Sequence, residues 1–209
     1  MIAPPERSAE RDTVIAALLP RVPMQGWTRA ALRGALADLG ADPLDAELLF
    51  PGGAAELVEA FLDWADRRME AAAAAADLAA LRTPARVRSI VVLRLHELRP
   101  HREAVRRALA VLALPRHAGV AARALARTVD AIWHAAGDAS ADFSWYTKRA
   151  TLAAVYGATL LYWLRDPTED DAATLAFLDR RLAGVGRVGA LRRRVERSCE
   201  RLGPRRAAA

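Results

Sequence analysis

DFSWYTKRATLAAVYGATLLYWL, residues Asp142 to Leu164, places a polar aromatic gateway ahead of a segment too apolar for an ordinary surface helix. Trp145, Tyr146, the chain's only lysine (Lys148) and Arg149 come first, and the fifteen residues from Ala150 to Leu164 then carry no formal charge. Aromatic and aliphatic side chains point in nearly every direction of a 3.6-residue wheel, which implies burial all round or a wall around something greasy. The segment is too short to span a bilayer, which takes about 20 residues.

Around this helix the rest of the chain is helical as well. Of 209 residues 49 are alanine, Leu and Arg fill much of the remainder, and β-branched runs are almost confined to Ile90–Val92. Intrinsic propensity therefore predicts an all-α fold of about ten helices. Breakers set their limits: about 12–19, then 28–39 with Thr28 as cap and Gly40 as stop, then a short helix opening on Asp42 and Pro43 and ending near Phe50. A long helix over 53–76 carries Leu57, Val58, Phe61, Leu62, Ala65 and Met69 as one apolar stripe against an acidic face. Thr83 and Pro84 open a fifth helix bearing Val87, Ile90, Val91, Leu95 and Leu98, followed by helices over about 101–112 and 117–136. The stripe of the latter is Val120, Leu125, Val129, Ile132 and Trp133, and Gly137 stops it. The eighth helix is 145–164, the ninth opens on Thr168 and Asp171 in a capping box and runs to about Leu182, and the tenth is a basic tail.

Charge narrows the function. The net charge is +6, and the segment from Arg187 to Arg206, with eight Arg and two Glu, accounts for all of it. From Gly34 to Asp66 there is no Lys or Arg, while eight Asp and Glu accumulate, so this stretch should repel phosphate. The tail reads as an amphipathic helix with Val188, Leu191, Val195 and Leu202 on one face, rimmed by Arg192, Arg193 and Arg194 among others, a pattern suited to a membrane surface. Packing of that helix on its own domain or on a dimer partner is the alternative. The opening residues lack the apolar core of a secretory signal and the acid-poor character of a transit peptide, which suggests a bacterial-type cytoplasmic protein resting on the inner membrane. The lone Cys199 excludes an internal disulfide.

Motifs of catalysis or metal binding are weak. His96 and His101 are five apart with Pro100 between them, which misses the i, i+4 spacing of two ligands on one face, and Asp130 with His134 lacks further ligands. Gly184, Gly186 and Gly189 spell GxGxxG but follow a helix instead of a strand, so they read as a flexible joint. The sequence predicts no catalytic residue, no metal and no cofactor.

Two resemblances extend this reading. The block Asp142, Phe143, Trp145, Tyr146, Thr147, Lys148, Arg149 and Ala150, with Ser144 where Asn is expected, resembles the DFxWYT(K/R)RA signature of the ubiquinone-biosynthesis accessory family, the ninth of the coenzyme Q set. Trp133, His134, Ala136, Gly137 and Asp138 before it, and Ala176 to Arg181 after it, extend the likeness. Three short helices ahead of a long one, with GWT opening the second, resemble the N-terminal domain of TetR-type regulators. The resemblances together imply a TetR-like fold: a degenerate helix-turn-helix unit over 1–78, a lipid-binding and dimerisation unit over 79–186, and the tail over 187–209. They imply a non-enzymatic, homodimeric accessory protein that binds an isoprenoid quinone intermediate and presents it to a di-iron demethoxyubiquinone hydroxylase. Leu93, Leu112, Val129, Trp133, Leu152, Val155, Tyr156 and Leu160 are the candidate lipid-pocket residues, or simply core. Asp142, Trp145, Tyr146 and Arg149 are the candidate partner-docking residues, with core anchoring as the alternative for the two aromatics and an internal salt bridge for the charged pair. The rival reading is a ligand-responsive transcriptional regulator. A helix reading DPLDAELLF, without Arg, Lys, Asn or Gln, is poorly equipped to touch base edges.

Overall fold

Ser8 and Thr28 each accept a backbone N–H from three residues ahead, and these caps start the first two substantial helices of the chain. The computed structural model describes residues 3–138, 144–168 and 170–185, apart from the side chain of Ser144. Among these residues there is no strand. The α-helices are α1 (Ala9–Leu18), α2 (Val22–Gln25), α3 (Arg29–Asp38), α4 (Ala46–Leu49), α5 (Ala54–Ala75), α6 (Thr83–Leu98), α7 (Arg102–Leu112), α8 (Ala118–Ala135), α9 (Ser144–Trp163) and α10 over 172–185. The helix expected from Asp42 is a 3-10 turn, Pro43–Asp45, capped by Asp42 and followed by α4.

α5 is the central strut. Leu57, Val58, Phe61, Ala65 and Met69 of its predicted stripe are buried, and Leu62 is partly so. It packs against α1, α6, α7 and α8, and one core cluster runs from Val14 to Leu178. Trp27 locks the N-terminal helices onto this body: its ring lies 5.0 Å from Phe61 and its Nε1 donates to the Ala104 carbonyl of α7 at 3.1 Å.

Four expectations change. On α8 the inward face is Ala124, Arg127, Thr128, Val129 and Ile132. Leu125 turns outward because α5 offers Glu59 and Asp66, which draw in Arg127 and Thr128. α9 is not buried all round: Leu152, Val155, Tyr156, Leu160 and Trp163 face the core, while Tyr146 (68% exposed), Ala150, Ala154 and Leu161 (60% exposed) leave an apolar stripe open. The expected capping box of Thr168 and Asp171 is replaced by Asp170, which accepts from the Ala172 N–H at 3.1 Å, while Asp171 takes a left-handed φ of 56°. The Thr168 hydroxyl bonds Asp166 at 2.6 Å instead. Gly184 lies within α10, not in a joint; Gly186, Gly189, the tail and Cys199 lie outside the described residues.

Candidate functional site: the α8–α9 junction

Gly137, with φ 75°, ends α8 in the left-handed conformation that a side chain resists, and the turn sets Asp138 beneath the start of α9. There Asp138 receives Lys148 Nζ at 2.9 Å and lies 3.7 Å from an Arg149 guanidinium nitrogen. Arg149 Nε donates to Asp130 of α8. Two motifs separated in sequence thus form one ion-pair cluster, WHxAGD supplying the anion and the Lys148–Arg149 pair the cations. Arg149 also lies over Trp145 at 3.9 Å from the ring centroid, Trp145 meets Tyr146 edge-on at 4.8 Å, and Lys148 lies 5.6 Å from the centre of Trp133.

Two hollows meet at this cluster. Between α8 and α9 runs an apolar groove of about 390 Å³, floored by Ala122, Ala126, Val129, Ala150 and Ala153. Its alanines are what leave room, since larger residues on two touching helices would fill it. On the other side, between α5, α8 and the N-terminal segment, is a charged cavity of about 460 Å³. Asp130, Trp145 and Arg149 line both. Volumes of this size suit small-molecule sites, which span about 300–1,000 Å³.

One wall of the charged cavity is Asp66, part of a buried network that sequence reasoning missed. Arg94 of α6, fully buried, pairs with Asp66 of α5 at 2.9 Å, and the Thr128 hydroxyl of α8 lies 3.0 Å from both carboxylate oxygens. Tyr156 of α9 reaches the same guanidinium. Burial pushes the Asp66 carboxyl up to about 6, against the pull of Arg94 and Thr128. The available signal was Arg94 itself, an arginine on the apolar face defined by Val87, Val91 and Leu98.

Of the eight candidate lipid residues, Leu112, Val129, Leu152, Val155, Tyr156 and Leu160 are core side chains, and Leu93 and Trp133 pack on that core. Val129 is also on the groove wall. Of the docking candidates, Trp145, Tyr146 and Arg149 come together, and Arg149 takes internal partners; Asp142 lies outside the described residues, as do Val188, Leu191, Arg192, Arg193, Arg194, Val195 and Leu202. Asp130 pairs with Arg149 and not with His134, Glu97 with Arg68, and His101 sits edge-on to Trp64 at 6.0 Å. Among the described residues no group of three or more His, Cys, Asp or Glu is placed to hold a metal, and no single helix is long and apolar enough to cross a membrane.

The model of the COQ9 family matches residues 118–189, which hold this junction from the first turn of α8 onward. The "Ubiquinone biosynthesis protein COQ9, mitochondrial" of Rattus norvegicus is 32% identical over 196 residues, covering 90% of this chain and 62% of that protein. The chain is similar to the COQ9 family. The Homo sapiens COQ9 is likewise 32% identical, with 90% and 61% covered, so the chain spans about three fifths of the length of these curated relatives. Among solved structures, a TetR transcriptional regulator from Nitrosomonas europaea superposes with a TM-score of 0.68 at 25% identity, covering 84% of this chain and 97% of the regulator. The fold is TetR-like, and the COQ9 likeness carries the junction's signature with it.

Proposed function

We propose that the chain is a non-enzymatic accessory protein of ubiquinone biosynthesis that binds an isoprenoid quinone intermediate and presents it to a di-iron demethoxyubiquinone hydroxylase. The observation that carries this reading is the apolar groove between α8 and α9, which shares Asp130, Trp145 and Arg149 with the wall of a charged cavity. A polyprenyl quinone has the matching anatomy, an apolar chain ended by a polar ring. The names of the COQ9 relatives supply the pathway. Tyr146, exposed beside Trp145, offers the aromatic contact that protein interfaces favour at their centres, and it is the proposed docking point for the hydroxylase. The apolar stripe of Ala150, Ala154 and Leu161 on α9 suits a second copy of the chain, and the basic tail suits an anionic membrane surface.

Mass spectrometry of an organic extract of the purified, natively folded protein tests the reading. An isoprenoid quinone or its precursor at near-stoichiometric yield, lost when Ala126→Trp fills the groove, is the expected result. Bulk phospholipid alone, or quinone retention unaffected by Ala126→Trp, overturns it. For the tail, Arg192, Arg193 and Arg194 changed together to Glu should abolish sedimentation with anionic vesicles.

The likeness to a transcriptional regulator favours a second reading, DNA binding. Where a reading helix would meet the groove of DNA, this chain presents Leu44 (71% exposed) and Leu48 (81% exposed) among Asp42, Asp45 and Glu47. The nearby Arg29 and Arg33 are both spent on Glu47. Duplex retention at low salt that declines as salt rises would revive the regulator.

A further inference from the structure

Leu44 and Leu48 stand four residues apart and outward on the ridge formed by the Pro43–Asp45 turn and α4. The ridge is seated without them. Ala46 and Phe50 are buried beneath it, Arg11 lies over the Phe50 ring at 4.3 Å, and Arg29 and Arg33 both pair with Glu47. The two leucines therefore face solvent by register, since the inward positions of the same turn are already filled. Asp42 caps the turn by accepting the Leu44 N–H, and among the described residues neither Asp42 nor Asp45 forms an ion pair. The stretch 34–66 contains no Lys or Arg, and Arg21 is taken by Asp38. Exposed aliphatic side chains flanked by uncompensated acids fit a partner that is both apolar and basic, and an anionic lipid surface would repel those acids.

We propose that this ridge docks the basic segment 187–206 of a second copy of the chain. That segment holds eight Arg and two Glu, the whole of the net charge of +6, and Val188, Leu191, Val195 and Leu202 recur at the spacing of one helical face. Laid on the ridge as a helix, it would set its aliphatic face on Leu44 and Leu48 and its arginines beside Asp42 and Asp45. Reach argues for a second copy. α6 runs antiparallel to α5, with His101 beside Trp64 and Glu97 on Arg68, and α10 follows α6 backward, with Asp171 on Arg102 and Asp179 on Arg88. The described chain therefore ends at Val185 toward the far end of α5, whereas the ridge adjoins the Ala54 end through Phe50 and Gly53. The 22 residues of α5 span about 33 Å, and a helix over 187–202 spans about 24 Å, too little to lie across its own ridge. The inference is independent of the proposed quinone site. It sets two uses of the tail against each other, because an aliphatic face covered by the ridge is not open to a lipid surface.

Cys199, the chain's only cysteine, falls on that face by spacing and serves as the reporter. The wild-type chain is mixed with a full-length, affinity-tagged copy carrying Cys199→Ser together with Leu48→Cys or, as control, Met24→Cys. Met24 is equally apolar and 87% exposed, but no Asp or Glu occurs from Leu19 to Arg33. Under mild oxidation the disulfide between the two copies should form at least about tenfold faster through position 48 than through position 24, since docking raises the local thiol concentration. Asp45→Lys in the tagged copy, which leaves the Asp42 cap in place, should slow the position-48 reaction toward the control rate. Arg192, Arg193 and Arg194 changed to Glu in the other copy should do the same, and the two charge reversals combined should restore the faster reaction. Equal rates at positions 48 and 24, or a position-48 rate that neither reversal lowers in folded protein, overturns the inference. So does a Leu48→Cys chain retaining Cys199 that closes on itself as a monomer in preference to a linked dimer, because the tail would then lie on its own ridge.

Discussion

Changing Arg94 to Met removes the cation from a charge pair that is almost wholly enclosed: Arg94 is 0% exposed and Asp66 is buried beside it. Breaking such a pair from one side costs about 3–5 kcal/mol, because the remaining charge stays in place without its partner. Here the lower figure applies. Among the described residues Arg94 Nε and Nη1 have no hydrogen-bond partner, its contact with the Leu62 carbonyl is long at 3.3 Å, and the Thr128 hydroxyl remains on Asp66 after the change. Against a domain stability of about 5–15 kcal/mol, a loss of about 3 kcal/mol is large but leaves a folded protein to measure. Adding Asp66→Asn should bring the double variant back to within about 1 kcal/mol of wild type, since pairs of this kind are worth little against neutral replacements.

The pH dependence sharpens this. The folded Asp66 carboxyl, at about 6, lies above its ordinary value of 3.8. The native state therefore holds the proton more tightly than the unfolded chain does. Its contribution to stability is fully present below the unfolded value and is lost as pH rises through 6, about 3 kcal/mol over some two units. Without Arg94 the carboxyl rises further, so at about pH 5 it is protonated and has no charge to leave stranded. Urea unfolding followed by far-UV circular dichroism should show the Arg94→Met penalty shrinking from about 3 kcal/mol at about pH 8 to about 1 kcal/mol at about pH 5. A penalty under about 1 kcal/mol at the higher pH, or one that does not change between the two, would refute the reasoning.

Asp166→Ala deletes the acceptor of four hydrogen bonds, from the amide and hydroxyl of Thr168 at 3.0 and 2.6 Å and of Thr174 at 2.8 and 2.6 Å, and should cost about 2–3 kcal/mol while speeding amide exchange over 172–185. Burial alone would raise that carboxyl, but these four donors hold it well below its ordinary value, so the stability it supplies is present above about pH 4 and fades as pH falls further; wild type and variant should converge in acid melts. Trp27→Phe leaves the Ala104 carbonyl without its indole donor and should lower stability by about 1–2 kcal/mol in thermal unfolding; an unchanged melting temperature would mean that the bond contributes nothing. Tyr146→Ala, at an exposed position, should change stability by no more than about 0.5 kcal/mol while weakening co-purification with a di-iron hydroxylase; retention of the enzyme at wild-type yield would remove Tyr146 from the docking surface.

The helices were legible because their signals are local. Thr28, Asp42 with Pro43, the 57–69 stripe, Gly137 and the Thr83–Pro84 start each act within one or two turns, and each marks an observed boundary or face. What was hidden depends on partners distant in sequence. Nothing in the period of α8 says that Arg127 and Thr128 turn inward; Glu59 and Asp66, 68 and 62 residues away, decide it. The groove was invisible for a related reason. Ala122, Ala126, Ala150 and Ala153 look like helix-forming filler along the chain, and only the pairing of α8 with α9 converts their missing side chains into space. At α10 the error was one of competition: Thr168 had a stronger acceptor in Asp166 than any role in a capping box could offer.

The same pairing explains why the quoted block reads as a signature at all. Trp145, Lys148 and Arg149 are polar or amphipathic residues at the mouth of an otherwise apolar helix, and in isolation they would splay into solvent. Asp130 and Asp138, one on the last turns of α8 and one just past its glycine stop, hold the two cations, and Arg149 in turn holds the Trp145 ring. Fixing the start of α9 in this way sets the distance between Ala126 and Ala153 and so the width of the groove, which means that the charged residues shape the apolar site without lining most of it. A DNA reader built on this scaffold would need its free cations on the 43–49 ridge, and this chain places acids and leucines there. Its arginines are instead committed to joining helices: Arg33 to Glu47, Arg67 to Asp12, Arg94 to Asp66 and Arg149 to Asp130. The arginines named here thus spend their charge on holding a shape, and at α8–α9 that shape is an apolar groove whose wall residues Asp130, Trp145 and Arg149 also line a charged cavity.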